Sequence, residues 1–416
     1  MDLKAIGARI TRERERAGLS QRELAARADL SQSTLNRMEL GTRATASVAE
    51  LDRIARALEL PLRALTRDSP VHDRMQVAAR AAMGAEADRE RAARTAGDIL
   101  ALDDRLDALG IASATSPLPA DRLPPLPPVA LSPEQQGQQL ADAVRRSFGL
   151  GGNPIPDLAE FAELSLGLDT ATLALPRAVS GFTALDPVRH VTLVVVNTHD
   201  VRERQRFTLA HEIAHTLFGD GVQAHHLTSA RTPAEERSDA FARHLLAPTD
   251  GIRRQLGPGA DDAAEPLGLR VCALLARHFG ISPTAMLVQL KRMGLISTQE
   301  QQEFTGLSGR QLAWRFGWGP QYDDEAAAAQ QVRAPRRILE RAVNAYREGR
   351  IGVRAVAALD GADPRETEAA LRAAGITPAE PPPARRMNLQ ALLARRREAP
   401  AGPGGVAAEG DGTDRR

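Results

Sequence analysis

Apolar residues recur three and four positions apart through the first 67 residues (Leu24, Ala25 and Ala28; Leu51, Ile54, Ala55 and Leu58). That interval lines one face of a helix. Between the runs stand signals that start and stop helices. Ser20 and Ser31 are placed as N-caps, Glu23 completes a capping box three residues after Ser20, and Gly18 and Gly41 end segments. The pattern predicts a compact domain of five short helices over 1–67, with Leu24, Ala25, Leu30, Leu35, Leu51 and Ile54 in its core.

Further along, the pattern changes several times. From about 72 to 110 the chain is charged and alanine-rich with few breakers, which predicts one or two long helices and makes 68–112 a helical connector. The stretch "ATSPLPADRLPPLPPVALSP" carries seven prolines, so 113–132 is expected to be an extended linker. A second globular unit, 133–296, starts with a helix at Pro133. Its best strand is "HVTLVVVNT" (190–198), an apolar β-branched run between polar residues. Helical patterns return after about 266 and continue as a helical C-terminal region, 297–378. The Pro-, Gly-, Ala- and Arg-rich stretch 379–416 is expected to be a disordered tail. The fold class is therefore multi-domain and mainly α, with one α+β part holding a small sheet.

Composition narrows this picture. With 416 residues, 43 % of them hydrophobic but only 3 % aromatic, the chain should build several modest cores of Ala, Leu and Val. A net charge of +1 argues against a basic coat for nucleic acid, although 1–67 holds 13 Lys/Arg against 9 Asp/Glu. The single cysteine, Cys272, rules out a disulfide framework or a cysteine-rich zinc ribbon. The start lacks an apolar signal core and no stretch approaches 18 uninterrupted apolar residues, so a cytoplasmic location with no membrane partner is expected.

The chemistry concentrates in "RFTLAHEIAH" (206–215). Asp200 and Glu203 form a capping-box pattern for a helix starting near 201, which "FGDG" ends near 218. His211 and His215 then share one face, four residues apart, and two imidazoles so placed can grip one ion. Glu212 can reach a water at the metal without being a ligand, as a general base must. A third ligand is needed. The next helix offers Glu235, 20 residues after His215, and Asp239 one turn on, which could hold a ligand histidine through its second ring nitrogen. Glu235 has a competing reading: Thr232, Pro233 and Glu235 also fit N-cap, N1 and N3 of that helix, with Glu236 and Asp239 as alternative ligands. Seven of the nine histidines fall between 190 and 244, but His190, His199, His225, His226 and His244 read as surface or structural residues.

His-Glu-x-x-His followed by Glu-x-x-Ser-Asp resembles the gluzincin metallopeptidases. More specifically, "VVVNTHDVRERQRFTLAHEIAHTLFGD" with "EERSDAFARHLLAP" resembles the ImmA/IrrE family over about 135–296. The resemblance implies one Zn2+ per chain on His211, His215 and Glu235 in a zincin-like α+β domain, with Glu212 as base. It also implies a protein substrate, a helix-turn-helix repressor whose cleavage releases stress or mobile-element genes. Ser238, Asp239 and Ala247 depart from the family's Ala, Asn and Met, and none of the three is a proposed ligand.

"GLSQRELAARADLSQSTLNRMELGTR" resembles the helix-turn-helix domain of the phage Cro/repressor and XRE type. The second helix should start at Gln21 and the recognition helix at Gln32. Gln32, Ser33, Thr34, Asn36 and Arg37 would then read base edges, and Gln21, Arg22 and Arg43 would meet phosphates of a double-stranded operator. The low local charge excess points to dimerisation for adequate affinity. The expected function is a DNA-binding regulator with a zinc endopeptidase domain. Two alternatives stand beside it: a transcription factor whose peptidase-like domain senses a signal and cleaves nothing, and a partner-binding antitoxin.

Overall fold

The computed structural model describes residues 3–43, 45–58, 60, 62–66, 71, 75–79, 86–113, 123–220, 232–258 and 267–379. The expected tail after Ala379, the first half of the proline-rich stretch, and His225 and His226 lie outside the described residues.

Five helices build the N-terminal unit: α1 (Leu3–Arg16), α2 (Gln21–Arg27), α3 (Gln32–Glu39), α4 (Val48–Ala57) and α5 (Leu62–Thr66). Ser20 with Glu23, and Ser47 with Glu50, form reciprocal capping boxes, and the Ser31 hydroxyl accepts the Thr34 amide. Ile6, Ile10, Leu24, Leu35, Leu51 and Ile54 form the core, while Leu30 is only half-buried at its edge. The α1–α3 crossing is close enough to require a glycine. A Cβ on Gly7 would lie 2.2 Å from the Met38 carbonyl oxygen.

A four-stranded sheet organises the rest of the described chain. Its strands, β1 (Gln76–Ala79), β2 (Asp169–Leu173), β3 (Gly181–Asp186) and β4 (Val191–Asn197), lie in the order β1-β3-β4-β2. β2 runs parallel to β4, and β1 and β3 are antiparallel to their neighbours. β4 is apolar on both faces because both are covered. Val194 and Val196 face one core, and Leu193 and Val195 face another.

The first face carries α7 (Pro133–Ser147), α8 (Leu158–Ser165), α9 (Arg202–Phe218), α10 (Pro233–Leu246), α11 (Thr249–Leu256), α12 (Leu269–Phe279) and α13 (Pro283–Arg292). Here α7 and α10 cross almost backbone to backbone. A Cβ on Gly137 would sit 2.2 Å from the Arg237 carbonyl oxygen and 2.7 Å from the Phe241 nitrogen. Ser132 and Gln135 cap α7 reciprocally, as Pro133 at N1 favours.

The second face carries α6 (Glu86–Ala108) and, from the far end of the chain, α17 (Arg336–Arg347), α18 (Val353–Ala357) and α19 (Pro364–Ala373). Between them in sequence, α14 (Thr298–Phe304), α15 (Gly309–Phe316) and α16 (Gly319–Ala329) follow α13, and Leu312, Ala313 and Trp318 pack on Ala273 of α12. Asp103 of α6, fully buried, ties the second face together. It pairs with Arg337 (3.0 Å) and Arg341 of α17 and with Arg189 of the β3–β4 turn (2.6 Å), while Arg337 also holds Asp169 of β2.

Two expectations need correction. The connector is not wholly helical, because β1 interrupts it, and α6 packs on the sheet instead of bridging two units. The C-terminal region is helical as expected, and Ile338, Ala342, Ala345 and Tyr346 share a core with Leu193 and Val195 of the sheet. Asp200 does not cap the metal-motif helix. Val201 occupies the N-cap without a side-chain bond, and Asp200 pairs with Arg204 at 3.3 Å. The end of that helix is as expected, with Gly219 left-handed at φ +75. No single helix among the described residues is long and apolar enough to cross a membrane.

Candidate metal centre

α9 is buried along nearly its whole second half, so its histidines face protein. His211 is 0 % exposed, Glu212 2 % and His215 8 %. The two Nε2 atoms lie 2.9 Å apart. Glu235, in the first turn of α10, brings its carboxylate between them, with Oε2 at 3.4 Å from His211 Nε2 and Oε1 at 3.3 Å from His215 Nε2. Thr232 does cap α10 by accepting the Glu235 amide, so the backbone of Glu235 serves the cap and its carboxylate serves the histidines. The two readings of Glu235 are compatible.

These residues fit a tetrahedral zinc. Atoms bound about 2.0–2.1 Å from such an ion lie roughly 3.3 Å apart, close to the three separations observed. His211, His215 and Glu235 are the group of potential ligands among the described residues whose donor atoms all lie within 4.8 Å of one another. Both imidazoles are held from behind. His211 Nδ1 lies 2.9 Å from Asp239 Oδ1, leaving Nε2 for a ligand bond. His215 Nδ1 faces Ser238 Oγ at 3.4 Å and Asp220 Oδ2 at 3.5 Å. Arg237 in turn bonds Asp220.

Glu212, next to His211 in the helix, has one carboxylate oxygen anchored and one bare. The Thr183 hydroxyl of β3 donates to Glu212 Oε2 at 2.8 Å, which fixes the carboxylate. Its other oxygen, Oε1, is buried and has no hydrogen-bond partner. A buried carboxylate oxygen left bare is costly unless something polar meets it, and a water or substrate at the metal position would do so.

The charges around His215 are strongly coupled to it. Burial works against its imidazolium, but hydrogen bonds to Asp220 and Glu235 and the charges of Glu212 and Glu235 outweigh that and raise it to about 9. Burial also works against the Asp220 charge, yet His215 and Arg237 hold its carboxyl below the usual range.

Thr183 and Asp220 were not singled out from the sequence. Asp220 sits in the "FGDG" that reads as a helix stop, and Thr183 lies 29 residues before Glu212 in an unremarkable strand. The other described histidines stay away from the centre. His190 and His199 are exposed, and His244 bonds Gln289 at 3.2 Å.

On the N-terminal unit the expected DNA contacts divide. Arg22, Gln32, Ser33 and Arg37 are exposed, and Gln32 to Arg37 lie on α3 as expected of a recognition helix. The side chains of Ser33 and Thr34 share the Ser31 hydroxyl, at 3.0 and 2.8 Å. Gln21 is drawn inward, donating to Glu39 Oε2 at 2.7 Å and Asn36 Oδ1 at 3.3 Å, and Arg43 pairs with Glu50 at 2.8 Å. Gln21 with Asn36 thus ties α2 to α3, and Arg43 ties the turn after α3 to α4.

A family model described as Helix-turn-helix matches residues 10–65, which covers α2 and α3. A peptidase-family model described as IrrE N-terminal-like domain matches residues 172–291, from the end of β2 to α13, and so includes the three-residue cluster and Glu212. The chain joins a helix-turn-helix domain to an IrrE N-terminal-like domain. The IrrE-like match starts well after the expected boundary at 133, yet α7 and α8 share the core of its helices. Among solved structures, the apo form of the competence regulator ComR from Streptococcus vestibularis is similar over 79 % of this chain and 99 % of that one, at 14 % identity. Its TM-score of 0.15 carries no structural argument. No curated protein matches the chain.

Proposed function

We propose that the protein is a cytoplasmic, DNA-binding transcriptional regulator whose IrrE-like domain is a zinc-dependent endopeptidase acting on a regulatory protein, a helix-turn-helix repressor being the candidate substrate. The observation that carries the reading is Glu212. It stands beside a three-residue ligand set, with one oxygen anchored by Thr183 and the other buried and bare.

Zn2+ held by His211, His215 and Glu235 would supply Lewis acidity to a scissile carbonyl and to a water. Glu212 Oε1 takes the water's proton and returns it to the leaving amine. Thr183 keeps that carboxylate aimed, Asp239 holds the His211 ring, and Asp220 with Ser238 holds the His215 ring. On the DNA side, Arg22, Gln32, Ser33 and Arg37 are the contacts that exposure favours, with Thr34 flanking them. Gln21, Asn36 and Arg43 would act by fixing the recognition helix. A homodimer on a two-fold operator would supply the affinity that the small charge excess does not.

The burial of Glu212 favours a second reading, a metal-holding sensor that admits no polypeptide. The deciding experiment measures bound zinc and cleavage of a co-expressed repressor in wild type and Glu212→Gln. Cleavage by wild type alone, with zinc in both, supports the peptidase. Zinc in both with the repressor intact under every stress condition favours the sensor.

A further inference from the structure

The strand that interrupts the connector pairs with the strand that anchors Glu212. β3 is the strand nearest the base, because Thr183 faces α9. Phe182 and Ala184, its neighbours in the strand, belong to the core on the opposite face, and side chains alternate along a strand. Thr183 is 4 % exposed and holds Glu212 at 2.8 Å. One edge of β3 pairs with β4. The other edge, beside the base, pairs antiparallel with β1, in the register Gln76↔Leu185, Val77↔Ala184, Ala78↔Thr183 and Ala79↔Phe182. The backbone of Ala78 is therefore one strand spacing, roughly 4.8 Å, from the residue that anchors Glu212.

An extended peptide presented to a peptidase gains affinity from main-chain hydrogen bonds to a free sheet edge. Here that edge is taken by the chain itself. We propose that β1 is a built-in occupant of the peptide-pairing edge beside Glu212, so that the site is closed in cis until β1 leaves. The proposal rests on the peptidase reading above.

β1 is suited to leaving. Among the described residues it is outermost in the sheet order, pairs with one strand and spans four residues, and its Gln-Val-Ala-Ala sequence has a single good strand former. A longer β-branched segment of a partner protein would pair better. β1 also lies between the last helix of the DNA-binding domain, ending at Thr66, and α6, starting at Glu86.

The test uses the full chain and a fluorescein-labelled hexapeptide of residues 75–80, Met-Gln-Val-Ala-Ala-Arg, read by anisotropy. Val77→Pro replaces the one good strand former of β1 with a residue that strands disfavour and takes its side chain from the core of the second face. Val77→Cys with Ala184→Cys, Cα partners in the register, locks it when oxidised. Val77→Pro is expected to bind the peptide at least tenfold tighter than wild type, with faster amide exchange along β3. The oxidised lock is expected to bind at least tenfold more weakly than its reduced form. Equal binding by wild type and a folded Val77→Pro, or by the two redox forms of the lock, overturns the proposal. If Val77→Pro fails to fold, the lock alone decides. All measurements are repeated with Glu212→Gln, since binding needs no turnover. Peptide capture by Val77→Pro with no cleavage of any co-expressed repressor would leave β1 as the occupant and sink the peptidase reading instead.

Discussion

The two faces of the sheet are built from different parts of the chain and by different means. The α9 face is drawn from 133–296 and filled by apolar side chains, with Leu209, Ile213, Phe241, Leu246, Phe279 and Leu290 in one core. Its buried polar groups include those of the metal centre and a second cluster of Arg243, His244 and Gln289 with Glu134. The α6 face draws on both flanks of that stretch, and a buried network of Asp103, Asp169, Arg189, Arg337 and Arg341 runs through it. The first face carries chemistry, and the second fastens the chain around it. Burial of several charges is weak evidence of added stability, but breaking such a set is expensive because the remaining charges stay buried.

That contrast can be broken from either side. On the α9 face, Glu212→Gln should lower cleavage of a repressor substrate by about 10²–10⁴-fold. Zinc content by metal analysis and the unfolding midpoint should stay at wild-type values. On the α6 face, Asp103→Ala should do the opposite, costing about 3–5 kcal/mol in denaturant unfolding because three arginines lose their common partner. The zinc affinity of the folded fraction should not change; a change would show that the faces are coupled.

Asp239→Asn should weaken zinc binding by about 10–100-fold in a competition titration, since it disturbs the ring that presents His211 Nε2. A smaller effect concerns Glu134 of α7, which bonds Arg243 at 2.7 Å and approaches His244 and Arg292. Burial works against its charge, but His244 and Arg243 hold its carboxyl down at about 2. Because the folded value lies below the ordinary one of about 4.3, the stabilisation is complete above that pH and is lost as pH falls toward 2. Glu134→Gln should flatten the acid limb of the stability curve in that window, read by far-ultraviolet circular dichroism. The smallest effect lies away from the sheet. Ser20→Ala removes a cap from α2 and should cost about 1 kcal/mol, seen as a lowered unfolding midpoint with zinc content unchanged.

Legibility in sequence followed distance along the chain. The caps at Ser20, Ser31 and Thr232, the start of α3 at Gln32 and the pairing of His211 with His215 all act within about one helical turn, and local spacing exposes them. Glu235 and Asp239 were legible because the second helix carries its own periodicity. Thr183 was not, since a threonine in a strand has no signal of the carboxylate it holds 29 residues away. The pairing of α6 with α17 was equally hidden, because Asp103 meets Arg337 across 234 positions. At Asp200 the local rule itself misled. The helix begins one residue later than the acidic pair suggests, and the carboxylate goes to Arg204.

Gly137 has no atom with which to touch a metal, a proton or a substrate. Its contribution is space: α10 comes so near α7 only because nothing projects from that position, and α10 carries Glu235, Ser238 and Asp239. A single added methyl at 137 would press on the Arg237 carbonyl, between the ligand and the two side chains behind the histidines. Part of this centre is thus written as an omission, and a register of coordinating groups would never include the residue whose smallness sets their depth.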